Sequence, residues 1–333
     1  MTTHPTSHPT RRGILAAAGA LALARPALAQ GNWPSRPIRV IVPYPAGGGQ
    51  DITARLLGDP MRAALGQPVV VENRSGASGM IGAQAVATAA PDGYTFLLGG
   101  AGETAINQHL YREKMAYDPI RDLRPVVLAA KVPNILMGNP QAPFRTLAEL
   151  VEHARANPGR LSYSSSGIGN PQHLAGELFN YMAGIRTVHV PYRGSGPAVT
   201  DIAAGLVQYG YNSLAAGLSL IQDGRIRAIA VTSKERLAQL PDVPSVSEYV
   251  PLKEYELINS FGLFAPAALP DAIAIRVHEA VANAVRQPDL RAKFEAQGLL
   301  PDPLSPTEYR RFIEGESTKF GIIVRDANIT VDG

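Results

Sequence analysis

Three features of the 333-residue chain predict an α/β fold of two lobes, each a mostly parallel sheet flanked by helices, the two joined by two crossover strands. Short apolar runs alternate with stretches of helical period, and the joins between them are rich in Gly, Pro and Ser. The alternation restarts near residue 137. An apolar strand at residues 260–265, followed by three helical stretches, then carries the chain back to where it began. The expected organisation is a leader over residues 1–29, a discontinuous first lobe over 30–136 plus 260–333, and a second lobe over 137–259. Two crossings between lobes form a hinge, and a hinge lets a cleft close over a ligand. The simpler alternative is two sequential domains without a mobile cleft.

In order, residues 38–42 read as a buried strand, 51–65 as a helix, 69–72 as a strand, 81–89 as a helix and 95–98 as a strand. That is a βαβαβ unit and therefore a parallel sheet under helices. Residues 125–128 and 135–137 read as two strands leading out of the first lobe. The second lobe follows with helix 147–156, strand 161–164, helix 173–183, strand 188–190 and helix 198–204. Strand 208–211, helix 215–223 and strand 226–232 complete it. After strand 260–265 come helices 272–286, 289–297 and 306–326.

The N-terminus has the three parts of an export signal. Arg11-Arg12 opens it, an apolar run spans residues 13–24, and Ala27-Leu28-Ala29 is a small-x-small cleavage site. A twin-arginine leader fits best and a general secretory one is the alternative. A spanning anchor needs roughly 20 apolar residues, and this run is shorter. With no cysteine in the chain, lipid anchoring at the cleavage site, disulfides and thiolate chemistry are all excluded. Removing residues 1–29 discards Arg11, Arg12 and Arg25 and no acid, leaving 28 basic against 28 acidic residues. The basic character of the whole chain therefore belongs largely to the leader. No run of Lys and Arg interleaved with aromatics suggests nucleic acid as a partner.

Four joins share one design, an apolar strand entering a Gly- or Ser-rich loop that opens a helix. They are Pro43 to Asp51, Arg74 to Gly79, Ser164 to Asn170, and Arg193 to Pro197. Helix starts present unpaired N–H groups and partial positive charge, and glycine lets a ligand approach the backbone. Each dipole contributes about 0.3–1 kcal/mol to a nearby anion, so four give about 1–4. A micromolar ligand needs about 8 kcal/mol. The difference must come from charge-assisted hydrogen bonds of about 1.5–3 kcal/mol each and from apolar burial on closure. Asp51 has a purely structural alternative as a helix N-cap, and glycines at such joins often only turn the chain.

Enzyme chemistry is weakly signalled. Gly100 to Ala105 imitates a dinucleotide fingerprint ending in Ala, but it does not follow the first strand, and no clear helix succeeds it. The sequence has no G-K-[ST], H-E-x-x-H or G-x-S-x-G. His109, His153, His173, His189 and His278 lack metal-ligand spacing. No metal or cofactor is expected. The catalytic alternative is a serine hydrolase using Ser165 or Ser166 with His173 and Asp201, its nucleophile lacking the usual elbow.

Taken in register, the landmarks resemble those of the substrate-binding proteins of tripartite tricarboxylate transporters, the Bug receptors. They are Pro43-Tyr44-Pro45-Ala46-Gly47-Gly48 with Asp51, Glu72-Asn73-Arg74 with Gly76 and Gly79, and Pro91-Asp92-Gly93-Tyr94. Tyr117-Asp118-Pro119, Val190 to Ala198, Ala230-Val231-Thr232-Ser233 and Leu240 to Pro244 continue the series. The resemblance covers the chain from Trp33 to the C-terminal helix. It implies a monomeric periplasmic receptor of the periplasmic-binding-protein-like fold, holding a small carboxylate through backbone amides and waters and catalysing nothing. Tyr44, Ala46, Gly47, Gly48 and Asp51 would line one wall. Ser164, Ser166, Gly169, His173, Arg193, Gly194, Ser195 and Asn212 would line the other. Its partners would be the membrane components of such a transporter, or a sensor kinase. The family often has Phe where Tyr44 stands, Pro-Gly where Ser75-Gly76 stands, and a Trp where Phe261 stands.

Overall fold

The computed structural model describes residues 33–331. The expected leader lies outside them. In chain order the elements of the first sheet are β1 (Ile38–Val42), α1 (Gly49–Leu65), β2 (Val69–Asn73), α2 (Met80–Ala87) and β3 (Thr95–Gly99). Both neighbours of β1, namely β2 and β3, run parallel to it. The alternating apolar runs thus produce the βαβαβ unit they predict.

Residues 125–128 and 135–137 are not two strands but parts of one, β4 (Leu123–Gly138), 16 residues long. Lys131, Pro133 and Asn134 interrupt the apolar pattern there without breaking the backbone. Along its first part β4 pairs with β9 (Ile258–Pro266), from Leu123↔Pro266 to Pro133↔Ile258. From Asn134 onward it pairs instead with β7 (Tyr209–Ser213) and β8 (Arg227–Val231). One strand is therefore an edge-to-edge bridge between two sheets. The second sheet adds α3 (Leu147–Ala156), β5 (Ser162–Ser165), α4 (Pro171–Ala183), β6 (Val188–Pro191), α5 (Ser195–Ala204) and α6 (Leu214–Gln222), with β5 parallel to both β6 and β7. The chain returns through β9, which lies between β3 and β4, and ends with α7 (Asp271–Arg286), α8 (Pro288–Ala296), β10 (Leu300–Pro301) and α9 (Pro306–Asp326).

Separate apolar clusters fill the two halves. Val40, Leu57, Phe96 and Val281 pack between the first sheet and α1 and α7, while Ile135, Ile202, Leu214 and Val231 pack under α5 and α6. A third cluster, which includes Leu97, Tyr163, Phe179, Tyr211 and Tyr309, spans both sheets.

Several helices start earlier than their apolar period suggests: α1 at Gly49, α4 at Pro171 and α5 at Ser195. Their first turns are made of Gly, Ser and Pro, which carry no periodic signal. The practical result is that loop residues of the sequence become helix N-termini.

Candidate functional site

A cavity with about 590 Å³ of empty space, open solvent included, lies between the two sheets. Four helices point their starts at it. The N-cap residues Gly48 of α1, Asn170 of α4, Gly194 of α5 and Ser213 of α6 all line it. None of the four N-termini receives a side-chain cap. Elsewhere α3 and α9 are closed by full capping boxes at Thr146 and Ser305, while α2, α7 and α8 also start without a side-chain cap but do not line this cavity. Uncapped starts gathered around one space leave several N–H groups for an anion.

The first wall is built by the loop between β1 and α1. Gly47 has φ +85°, a conformation that glycine adopts freely. Asp51 then holds the loop: its carboxylate accepts from Gly47 N at 3.0 Å, Asn73 Nδ2 at 3.0 Å and Arg55 Nε at 2.9 Å. Burial pushes its pKa up, but these bonds outweigh that and leave it lowered. Asp51 is not the N-cap. It is the third residue of α1 and reaches back to the loop before it, because Gly48 occupies the cap.

Of the expected site residues, Tyr44, Ala46, Gly48, Ser166, Arg193, Gly194 and Ser195 line the cavity. Gly47, Asp51, Ser164, Gly169, His173 and Asn212 do not. Ser164 and Asn212 are fully buried. Ser164 opposes Gly210 in the sheet, and a Cβ at Gly210 would meet Ser164 Oγ and Ile202 of α5. Strand alternation puts Asn212 on that same face. Both therefore lie beneath α5, where Ser164 Oγ and both side-chain polar atoms of Asn212 lack a partner among the described residues. Gly169 donates its N–H to His173 Nδ1 at 3.2 Å, so His173 fixes the loop from behind.

The loop from Arg74 to Gly79 opens onto an adjoining cavity that shares Tyr44, Pro45, Ser166, Arg193 and Gly194 with the first. Between the two cavities the walls are tied together. The Tyr44 hydroxyl donates to Asn170 Oδ1 at 2.6 Å, and Ser78 Oγ donates to the Ile168 carbonyl at 2.7 Å. Ser78 has φ +52°, unusual for a residue with a side chain.

Sequence reasoning missed Gln50, Glu103, Asn170, Ser213, Asn259 and Phe261, all of which line the cavity. Glu103 lies inside the Gly100–Ala105 tract that imitates a dinucleotide fingerprint; it stands in a wide π-type turn, Gly102–Ile106, that continues into a short helix, Asn107–Leu110, where no clear helix was expected. An acid directly after a Gly-rich strand end was the available signal.

The hydrolase constellation is not supported. Ser165 is buried and its Oγ is 2.6 Å from Nε2 of His189, not His173. Ser166 Oγ donates to Gln172 Oε1, and Asp201 accepts from the Tyr192 hydroxyl at 2.7 Å. His173 and His189 stack with centroids 4.0 Å apart, and Tyr163 also stacks on His189 at 4.9 Å. Burial pushes both imidazole pKa values down, and for His189 the neighbouring His173 adds to this.

Two α/β lobes joined by crossover strands, with helix starts facing a shared cavity, define the architecture of a solute receptor. The chain belongs to the receptor family of tripartite tricarboxylate transporters: a family model described as "Tripartite tricarboxylate transporter family receptor" matches residues 53–329. Among curated relatives, Protein BugT of Bordetella pertussis is 34% identical over 295 residues, covering 89% of this chain and 90% of that protein. Among solved structures, Rhodopseudomonas palustris Rpa4515 with adipate is 36% identical with a TM-score of 0.86, covering 90% of this chain and 99% of that one. MatC from Rhodopseudomonas palustris with bound malate is 30% identical with a TM-score of 0.82, covering 88% and 100%.

Proposed function

We propose that the protein captures a small carboxylate in the cavity between its lobes, closes over it, and delivers it to the membrane components of a tripartite transporter. The observation that carries this reading is the meeting of four uncapped helix starts at one cavity. Ligand oxygens would take hydrogen bonds from amides around Gly48, Gly49, Ser195 and Gly196. Tyr44, Ser166 and Arg193 would complete the walls, while Asp51, Gly169, His173, Ser164 and Asn212 hold the loops and the sheet behind them. The adipate and malate carried by two relatives supply the ligand class. Export to the periplasm through a cleaved leader, action as a monomer and a purely binding role without turnover belong to the same reading. The switch of β4 partners between Pro133 and Asn134, with β9 starting at Ile258, supports a second lobe of residues 134–257.

A thermal-shift panel tests this. Four- to six-carbon mono-, di- and tricarboxylates are compared with their uncharged amides. At least one acid should raise the melting temperature by several degrees and be recovered unchanged, while its amide does nothing. Equal shifts with acid and amide, or consumption of the acid, would reject the reading.

The tie from Tyr44 to Asn170 crosses the cavity and exists only when the walls are together. A neutral hydrogen bond contributes about 1 kcal/mol net. Tyr44→Phe should therefore weaken adipate or malate binding about fivefold in calorimetry, with the ligand-free melting temperature changed by no more than a few degrees.

A further inference from the structure

Glu103 is the single carboxyl side chain among the residues lining the cavity, and only 1% of its surface is exposed. Its two oxygens are treated differently. Oε1 accepts from Gly100 N at 2.5 Å and from Gln50 Nε2 at 2.7 Å. From other described residues Oε2 takes only the Tyr44 hydroxyl, at 3.4 Å. That hydroxyl has a single proton and lies much closer to Asn170 Oδ1, at 2.6 Å. The orientation of the Asn170 amide is fixed by its Nδ2, which donates to Ser166 Oγ at 3.1 Å. The Tyr44 proton is thus directed at Asn170 and reaches Glu103 only at long range. A carboxyl with one doubly served oxygen and one weakly served oxygen has the pattern of a neutral acid, with Oε1 as its carbonyl and Oε2 as its hydroxyl.

The surroundings agree with that pattern. Every hydrogen-bond donor to the side chain is neutral. The titratable groups around it are phenols: Tyr44 on the loop before α1, Tyr117, which donates to the Glu103 carbonyl at 2.6 Å, and Tyr309 of α9. Burial raises all three phenol pKa values, so none supplies charge. Burial likewise lifts the Glu103 carboxyl to about 7, against the pull of its hydrogen bonds. The one cationic side chain lining the cavity is Arg193, which is exposed.

An anionic ligand entering this cavity brings negative charge to an enclosed carboxyl. Helix starts offer fractional positive charge, which an ionised Glu103 would consume before the ligand arrived. A neutral Glu103 instead keeps that field for the ligand and turns Oε2 into a donor, the arrangement in which an apolar site holds an acid protonated. We propose that anion capture is coupled to the uptake of one proton from solvent at Glu103, whose neutral carboxyl then donates a hydrogen bond within the closed site. The inference rests on the reading of the cavity as an anion site. In the bound state the proton forms the Oε2–H bond and no other covalent bond changes.

The sign follows from a binding-competent form that is protonated. At pH 6 most of the protein carries neutral Glu103 and at pH 8 roughly one tenth does, so the apparent dissociation constant should rise about tenfold between them. Calorimetry with succinate, adipate and malate at pH 8, in buffers of different ionisation enthalpy, should show close to one proton taken up per ligand bound. Glu103→Gln should bind about tenfold more tightly than wild type at pH 8, with no further change at pH 6 and no proton uptake. Infrared difference spectra of the wild-type protein should show a protonated carboxyl appearing on ligand addition at pH 8, a readout that does not depend on the variant folding. Binding with a flat pH profile and no proton uptake would overturn the coupling and leave the anion site intact. So would a preference for ammonium-bearing acids that Glu103→Gln abolishes. Absence of binding by any of the three acids at pH 6 would overturn the anion site itself, and the coupling with it.

Discussion

Gly102→Val is expected to weaken dicarboxylate binding by at least a hundredfold while lowering the melting temperature of the ligand-free protein by only a few degrees. Gly102 sits at the seam where the two walls meet. A Cβ there would lie 2.9 Å from Asn170 Oδ1, 3.1 Å from the Tyr44 hydroxyl and 3.9 Å from the Gly169 carbonyl. Asn170 and Gly169 belong to the opposite wall, so a side chain at residue 102 holds the walls apart. A receptor that cannot close keeps only the contacts of one lobe, and a loss of about 2.7 kcal/mol already amounts to a hundredfold. The tightest contact is with Asn170 of the opposite wall, so parting of the walls relieves it and folding should be little affected. Gly47 is a poorer probe, because at φ +85° valine strains the loop whether or not a ligand is present. Affinity by calorimetry and melting by calorimetric scan separate the two effects. Unchanged affinity would mean that closure at this seam does not accompany binding.

The second large effect is acid sensitivity from the stacked imidazoles of His173 and His189. Both pKa values are lowered by burial, so in the folded protein the rings stay neutral where the unfolded chain already binds protons. Stability contributed by such groups is fully present above the unfolded value of about 6.5 and is lost as pH falls below it. At pH 5 each imidazole held neutral costs about 2 kcal/mol, and the pair about 4. Glu103 and Glu177, whose pKa values burial raises, slope the other way. The difference between wild type and a His173→Leu/His189→Leu double variant removes their contribution. Urea unfolding should show wild type losing about 4 kcal/mol more than the variant between pH 7.5 and pH 5. Parallel losses would mean that the pair titrates alike folded and unfolded.

The lobed α/β architecture was legible because strand and helix periods differ, and the βαβαβ unit from β1 to β3 follows from apolar runs alone. The candidate site was half legible. Gly- and Ser-rich joins marked Gly48, Ser166, Gly194 and Ser195, since the residues that let backbone approach a ligand are conspicuous in composition. Ser213 went unnoticed, as an ordinary serine at the end of a tyrosine-rich strand. Glu103 was hidden in the Gly100–Ala105 tract, whose glycines drew attention as a dinucleotide-fingerprint imitation rather than as the start of the helical turn that forms there. His189 escaped notice because its pairing with Ser165 and His173 depends on β5 and β6 lying side by side, with Tyr163 opposite His189. Such pairings are properties of sheet register, which local pattern does not contain. Asp51 and His173 were legible as important residues, but not as supports behind loops, because direction is set by packing.

Backbone-amide NMR during titration with adipate or malate tests the central claim most directly. Capture by uncapped helix starts predicts the largest proton shifts, downfield and saturating together at one equivalent, at the amides of Gly48, Gly49, Ser195 and Gly196. Shifts confined to another surface, such as the hollow formed by Gln108, Arg112 and Arg121, with those four amides unmoved, would contradict it.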